Sequence, residues 1–102
     1  MNFGLPENTI NKIKTVFEKH SEIEEVIIYG SRAMGNFRAG SDIDITLKGD
    51  ALEYDIISKI NQEIDDLNTP YLFDISIYKK LNSPDFIDHI DRVGKTFYKK
   101  QQ

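Results

Sequence analysis

Apolar residues recur along this chain with two different periods, one typical of helices and the other typical of strands. Recurrence every three or four positions predicts three helices, at residues 6–19, 51–67 and 84–93. Short apolar runs or strict alternation predict three strands, at residues 26–29, 42–48 and 72–78. A short helical turn at 31–35 and a short extended end at 96–98 complete the pattern.

The order of these elements predicts the class of fold. Helix, strand, turn, strand, helix, strand and helix follow one another, which predicts an α+β fold. We expect a small mixed β-sheet of about three strands with helices packed around it. A length of 102 residues predicts one domain, spanning 1–102, and no repeat, linker or low-complexity stretch divides it.

Composition narrows the possible functions. The chain has no cysteine, which excludes disulfides, thiolate metal sites and a thiol nucleophile and fits a cytoplasmic protein. The formal net charge of −4 argues against direct non-specific binding to nucleic acid, which depends on Lys and Arg contacts to phosphate. No apolar run has the length of a membrane span, so we expect no membrane partner.

Three aspartates lie on the polar faces of the predicted strands. Asp42 and Asp44 stand two positions apart on one strand, so both side chains leave the same face, with Cβ atoms roughly 6–7 Å apart. Asp74 is the acidic residue of the following strand. If these two strands are neighbours, Asp74 can point to the same place, and the three carboxylates can converge on one ion or a pair of ions.

Such a cluster needs a partner of opposite charge. Two unit charges about 4 Å apart repel by about 4 kcal/mol at an effective dielectric constant near 20. All-oxygen ligation suits Mg²⁺ bound together with substrate phosphates, and two ions would fit an in-line phosphoryl displacement. The alternative is that the aspartates simply face solvent on an open sheet, although Asp is depleted in strands.

A Gly-Ser pair follows the first predicted strand. Gly30 lets the backbone come close to a phosphate, and the Ser31 hydroxyl can donate to a phosphate oxygen. The spacing from Gly30 to Gly35 also resembles a P-loop, but Asn36 and Phe37 stand where that motif requires Lys and Ser or Thr. We therefore reject the P-loop interpretation.

The aspartates also resemble part of an EF-hand calcium loop. Asp42, Asp44, Thr46 and Glu53 occupy ligand positions 1, 3, 5 and 12 of such a loop. Leu47, however, stands where the loop requires glycine for its sharp turn, and the alternation around it predicts a strand. Calcium binding of this kind is therefore not expected.

Together these motifs resemble a known family. Gly30-Ser31-Arg32-Ala33-Met34-Gly35, then six residues, then Asp42-Ile43-Asp44 is similar to the Gly-Ser…Asp-x-Asp signature of the DNA polymerase beta-like nucleotidyltransferase superfamily. Leu72-Phe73-Asp74-Ile75 resembles the strand that carries its third carboxylate. The small size is similar to the minimal nucleotidyltransferase (MNT) branch, often paired with a HEPN-domain toxin. Met34 departs from the pattern, since many members have a second arginine there.

The resemblance implies a nucleotidyltransferase fold and an enzymatic activity. Gly30, Ser31 and Arg32 would bind ATP or another nucleoside triphosphate, although Arg32 could equally form a surface salt bridge. Asp42 and Asp44 would ligate two Mg²⁺ ions and Asp74 one of them, and Asp74 would take the proton from the incoming hydroxyl. The reaction would move AMP onto a hydroxyl, expected to be a tyrosine of the HEPN partner, so that the chain acts as an antitoxin.

Two other functions are compatible with the sequence. The chain could be a non-catalytic antitoxin that blocks its partner by contact alone, but that role gives no reason for three aspartates. It could also modify small molecules such as antibiotics, but such enzymes usually carry an extra substrate domain, for which 102 residues leave no room. The sequence does not specify the nucleotide, the acceptor or the oligomeric state.

Overall fold

The structure, a computed structural model, describes residues 2–101. It contains one four-stranded sheet, four helices and a single 3-10 turn within those residues. In chain order they are α1 (Glu7–Glu18), β1 (Glu25–Tyr29), α2 (Ser31–Met34), β2 (Ile43–Lys48), α3 (Tyr54–Asp65), β3 (Phe73–Ile77), the 3-10 turn (Tyr78–Lys80), α4 (Pro84–Val93) and β4 (Lys95–Lys99). The α+β class predicted from the sequence is confirmed.

The sheet is mixed and has the strand order β3-β2-β1-β4. Strand β1 pairs antiparallel with both β2 and β4, while β2 pairs parallel with β3. Helix α3 makes the crossover that a parallel pair requires. The sheet has one strand more than the three expected, because the extended end predicted at 96–98 pairs with β1 as β4.

The third helix is shorter than its apolar stripe. The pattern predicted residues 51–67, whereas α3 begins at Tyr54 and ends at Asp65. Leu52 is nevertheless fully buried, and its backbone N–H donates to the Gly49 carbonyl in a turn before the helix. The apolar stripe therefore identifies residues that are buried in the core, but it does not show whether each of them lies in the helix or in the turn beside it.

The two faces of the sheet have different environments. The main core lies between one face and helices α1 and α3, and it includes the alternating apolar residues Ile43, Ile45 and Leu47 of β2. A smaller cluster on the opposite face joins Ile27 and Tyr29 of β1 to Ile90 of α4. The polar residues of β2 and β3 therefore lie on the α4 face. Within residues 2–101, no helix is long and apolar enough to cross a membrane.

Candidate functional site

A row of three residues crosses the α4 face of the sheet. Asp44, on the central strand β2, pairs with Tyr29 on the antiparallel side and with Asp74 on the parallel side. Neighbouring strands lie about 4.8 Å apart, so a phenol and a carboxylate flank Asp44 on one surface. The adjacency of the strands that carry Asp44 and Asp74, which the sequence pattern leaves open, is thereby confirmed.

The turn after β1 brings backbone against this row. Gly30 has a positive φ of 74°, a backbone conformation that residues with a side chain rarely adopt. A Cβ placed on Gly30 would lie 2.5 Å from Asp44 Oδ2. Ser31 follows as the first residue of α2 and is partly buried. The Gly-Ser pair predicted to hold phosphates thus lies directly beside one of the predicted metal ligands.

Burial and neighbouring carboxylates both act on the central aspartate of the site. Burial raises the pKa of the Asp44 carboxyl, and the charges of Asp74 and Asp42 raise it further, while His89 lowers it. Asp42, directly before β2, and Asp74, on edge strand β3, are both exposed, whereas Asp44 between them is partly buried. The site therefore opposes the ionisation of its central carboxylate, which is the property expected of a cation or phosphate-metal site.

The three carboxylates share a region but do not form a finished ligand cage. Among residues 2–101, no three His, Asp or Glu side chains are already placed around a single metal-sized space. The sequence predicts that the three carboxylates can converge on one ion or a pair of ions once the strands are neighbours. The strand register brings Asp44 and Asp74 side by side, but mutual repulsion works against convergence of their side chains.

Two residues of the site were not identified from the sequence. They are Tyr29 on β1 and His89 on α4. The Tyr29 ring contacts His89, with ring centroids 6.2 Å apart and nearly perpendicular planes. His89 also lies near enough to influence Asp44. A signal did exist, since His89 lies between Phe86 and Ile90 on the apolar side of α4.

The Tyr29 hydroxyl stays protonated at any physiological pH. Burial, followed by the charge of Asp74 and that of Asp44, raises the pKa of Tyr29 to about 12, although Ser76 lowers it. The buried hydroxyl oxygen of Ser76 has no hydrogen-bond partner of ordinary geometry within residues 2–101. Tyr29 is therefore a neutral hydroxyl that can donate toward the carboxylates.

Arg32 lies in the interior of the protein. Its side chain is only 1% exposed, which makes the alternative of a surface salt bridge wrong. The guanidinium donates to the backbone carbonyls of Phe3, Ala39 and Ser41. The predicted contact of Arg32 with the nucleotide stays a prediction. Met34, where many members of the family have arginine, is 50% exposed on α2.

Solved structures share this fold. A chain from the crystal structure of a toxin–antitoxin complex with AMP-PNP is 21% identical with a TM-score of 0.70, and the match covers 95% of this chain and 76% of that one. The MNT antitoxin complex with the tri-AMPylated HEPN toxin of Shewanella oneidensis contains a chain at 17% identity and TM-score 0.66, with 92% and 72% coverage. A chain of the MntA-HepT complex is 16% identical with a TM-score of 0.66, covering 93% and 74%.

Sequence comparison identifies the family independently of the fold. A search of curated proteins finds no match. The family described as "Polymerase beta, Nucleotidyltransferase", in contrast, matches residues 11–102. That match includes the Gly-Ser turn and all three aspartates of the site. With the signature residues assembled around Asp44 and the family match spanning most of its length, the chain belongs to the polymerase beta nucleotidyltransferase family.

Proposed function

We propose that residues 1–102 act as a single minimal nucleotidyltransferase domain that moves AMP from ATP onto a tyrosine hydroxyl of a HEPN-domain toxin, and so act as its antitoxin. The observation that carries this proposal is the position of Asp44 between the Gly30 turn and Asp74. The proposed triphosphate-binding turn follows β1, and the two carboxylates lie on the next two strands, β2 and β3. A cytoplasmic location, where ATP and Mg²⁺ are abundant, stays a prediction.

Each residue of the site has a part in this proposal. Gly30 and Ser31 would hold the triphosphate, because a glycine lets the backbone approach a phosphate closely and the serine hydroxyl can donate to a phosphate oxygen. Asp42 and Asp44 would hold two Mg²⁺ ions, and Asp74 one of them. Their all-oxygen donor set suits Mg²⁺, and a bound cation would offset the burial and the neighbouring charges that raise the pKa of Asp44. When bound, the ions neutralise charge on the phosphates and on the entering and leaving oxygens.

The proposed reaction is a displacement at phosphorus. The acceptor hydroxyl oxygen forms a bond to the α-phosphorus of ATP, the bond from that phosphorus to the bridging oxygen of the β-phosphate breaks, and pyrophosphate leaves with that electron pair. The hydroxyl proton passes to the Asp74 carboxylate and then to water, since Asp74 is exposed. Positioning and charge stabilisation provide most of the catalysis in such transfers.

The choice of acceptor is supported by the shape of the site and by the solved relatives. Asp74 lies on an edge strand and is open to solvent, so a side chain presented by another protein can approach it. In the Shewanella oneidensis complex the HEPN toxin is tri-AMPylated and bound to an MNT antitoxin. Another relative was crystallised with AMP-PNP, an ATP analogue. These properties support ATP as donor and a HEPN protein as acceptor.

The proposal is tested by incubating the chain with ATP, Mg²⁺ and a purified HEPN-domain toxin. Intact-mass spectrometry should show the toxin gaining one or more adenylyl groups, and fragmentation should locate them on tyrosine. Asp44→Asn should abolish the gain, and so should removal of Mg²⁺ with a chelator. Asp65→Asn, an exposed aspartate at the end of α3, is the matched control and should transfer AMP normally.

The same preparation distinguishes the contact-only alternative. If the Asp44→Asn protein neutralises the toxin as well as the unmodified chain does, and no adenylyl group appears on the toxin, the enzymatic proposal is overturned. The chain would then be an antitoxin that acts by binding.

A further inference from the structure

Arg32 places a positive charge in the interior of the protein. None of the ion pairs within residues 2–101 includes it. A buried cation is costly unless hydrogen bonds and nearby negative potential compensate for the lost water. Its contacts therefore indicate what the burial of this charge achieves.

The guanidinium is held by backbone carbonyls and aromatic rings. Nε and Nη2 both donate to the Ser41 carbonyl, at 3.1 and 2.9 Å, and Nη2 also donates to Ala39 at 3.4 Å. Nη1 donates to the Phe3 carbonyl at 2.9 Å. The rings of Phe37 and Tyr71 lie 5.2 and 5.0 Å from the guanidinium carbon. Four of the five N–H donors of an arginine are thus engaged.

These contacts join parts of the chain that carry the site. Arg32 is the second residue of α2, directly after the Gly30-Ser31 turn. Ser41 directly precedes Asp42 in sequence. The bidentate contact to the Ser41 carbonyl therefore links the turn predicted to hold the triphosphate to the residue before a predicted metal ligand.

The N-terminal segment that contains Phe3 and Gly4 also contacts Arg32 and the loop of residues 36–41. Phe3 and Gly4 both have positive φ, 58° and 73°, which turns the Phe3 carbonyl toward Arg32. A Cβ on Gly4 would lie 2.1 Å from the Phe37 ring. The segment thus packs tightly on the loop of residues 36–41, whose aromatic ring also covers the guanidinium.

We propose that Arg32 is a positioning residue that fixes the loop of residues 36–41, and with it Asp42, relative to the Gly30-Ser31 turn. This inference rests on the proposed transferase function for its catalytic consequence. This role replaces the nucleotide contact that the family resemblance implies for Arg32, because here the side chain acts through the backbone of the loop and does not contact the phosphates. The planar fork of arginine is required, because a compact lysine ammonium is a point charge that lacks both the spread of the five guanidinium donors and their flat face.

The test compares Arg32→Lys and Arg32→Met with the unmodified chain. Amide hydrogen exchange in residues 36–42 should accelerate by about tenfold or more in both variants, while α3 stays protected. With the HEPN toxin as acceptor, kcat should fall about 100-fold, and the Mg²⁺ concentration for half-maximal activity should rise. The KM for ATP should change by less than about threefold, because no phosphate contact is lost.

Two further variants, Arg92→Met and Gly4→Ala, provide a matched control and an independent disturbance of the same loop. Arg92→Met removes an exposed guanidinium paired with Asp88 on α4 and should leave loop exchange unchanged. Gly4→Ala leaves Arg32 intact but displaces the Phe37 ring, so it should also accelerate exchange in residues 36–42. If the Arg32 variants do not fold, the Gly4→Ala result decides the outcome, and unchanged exchange there overturns the inference.

The opposite role for Arg32 predicts a different pattern. A phosphate ligand would give a raised KM for ATP, near-normal activity in Arg32→Lys and unchanged loop exchange, and that result overturns the inference. If the unmodified chain transfers no AMP, the proposed function fails, whereas faster loop exchange in the variants still supports the positioning role. The two failures are therefore distinguishable.

Discussion

Gly30 and Asp44 are in such close contact that a side chain at position 30 would have to displace the Asp44 carboxylate. A Cβ there would lie 2.5 Å from Asp44 Oδ2, and the positive φ of Gly30 independently disfavours any other residue. The glycine of the family signature is therefore explained by its neighbour as well as by the phosphate that it is proposed to bind. A side chain at position 30 would push the central carboxylate out of its row.

We predict that Gly30→Ala abolishes nucleotidyl transfer. The left-handed backbone alone should cost about 1–3 kcal/mol of stability, and the methyl group must displace Asp44 Oδ2. Transfer of AMP and thermal unfolding measure the two effects separately. Gly40→Ala is the control in the following loop, since a Cβ there meets nothing within 4 Å. Normal transfer by Gly30→Ala would show that the contact with Asp44 is dispensable.

The Asp44 carboxylate should lower the stability of the protein at neutral pH. Because the folded protein raises the pKa of Asp44 above its ordinary value, the folded state holds this proton more tightly than the unfolded state does. Stability is therefore lost as pH rises from the ordinary pKa through the raised one, and the loss is complete above both.

We accordingly predict that Asp44→Asn unfolds at a higher temperature than the unmodified chain at pH 7, although it is inactive. The gain should shrink as pH falls through the raised pKa and vanish below the ordinary one. Calorimetry across this range measures it, since each kcal/mol moves the Tm by about 4–8 °C in a domain of this size. Asp65→Asn, at the exposed end of α3, should show no such gain. A lower Tm for Asp44→Asn at pH 7 contradicts the prediction.

Much of the fold and of the site follows from the sequence by short-range rules. Strict alternation placed Asp44 on a polar face, and the helical stripes identified the core residues of α1 and α3. The pairing of Asp44 with Asp74 depends on which strands are neighbours, which alternation does not specify. The family resemblance supplied that link, and the register confirmed the adjacency.

The burial of Arg32 could not be inferred from local pattern. Charged residues are usually exposed, and the carbonyls that hold this one come from Phe3, Ala39 and Ser41, which no periodicity relates to position 32. His89 escaped notice for a similar reason. Its proximity to Tyr29 depends on how α4 docks across the sheet, which is decided by the tertiary packing around Ile90.

Removing only the Tyr29 hydroxyl tests whether this residue contributes to the row formed by Tyr29, Asp44 and Asp74. We predict that Tyr29→Phe lowers transfer by about tenfold, the range seen when a group beside a metal ligand is removed. Stability at neutral pH should change little, because the ring keeps its edge contact with Phe86, whose ring centroid lies 5.4 Å from that of Tyr29. The same variant should resist alkaline unfolding better between pH 10 and 12, since the folded protein raises the pKa of Tyr29 to about 12 and disfavours the phenolate.

Tyr98→Phe provides the matched control for that variant. Tyr98 packs against Phe17, on the face of the sheet away from Asp44. Its removal should leave transfer unchanged, and equal losses in the two variants would mean that the Tyr29 hydroxyl has no special part in the site.

Helix α4 packs on the sheet through the smaller apolar cluster of Ile27, Tyr29 and Ile90, and Tyr29 also belongs to the site. Ile90 is 2% exposed and packs with Ile27 and Tyr29, so Ile90→Ala should cost about 2–5 kcal/mol of unfolding free energy. The helix should then exchange its amides faster, and transfer should fall because Tyr29 and His89 lose their support. Denaturant unfolding and hydrogen exchange measure these effects. Ile87→Ala, on the same helix but outside this cluster, should cost less, and the reverse order would show that Ile90 does not anchor α4.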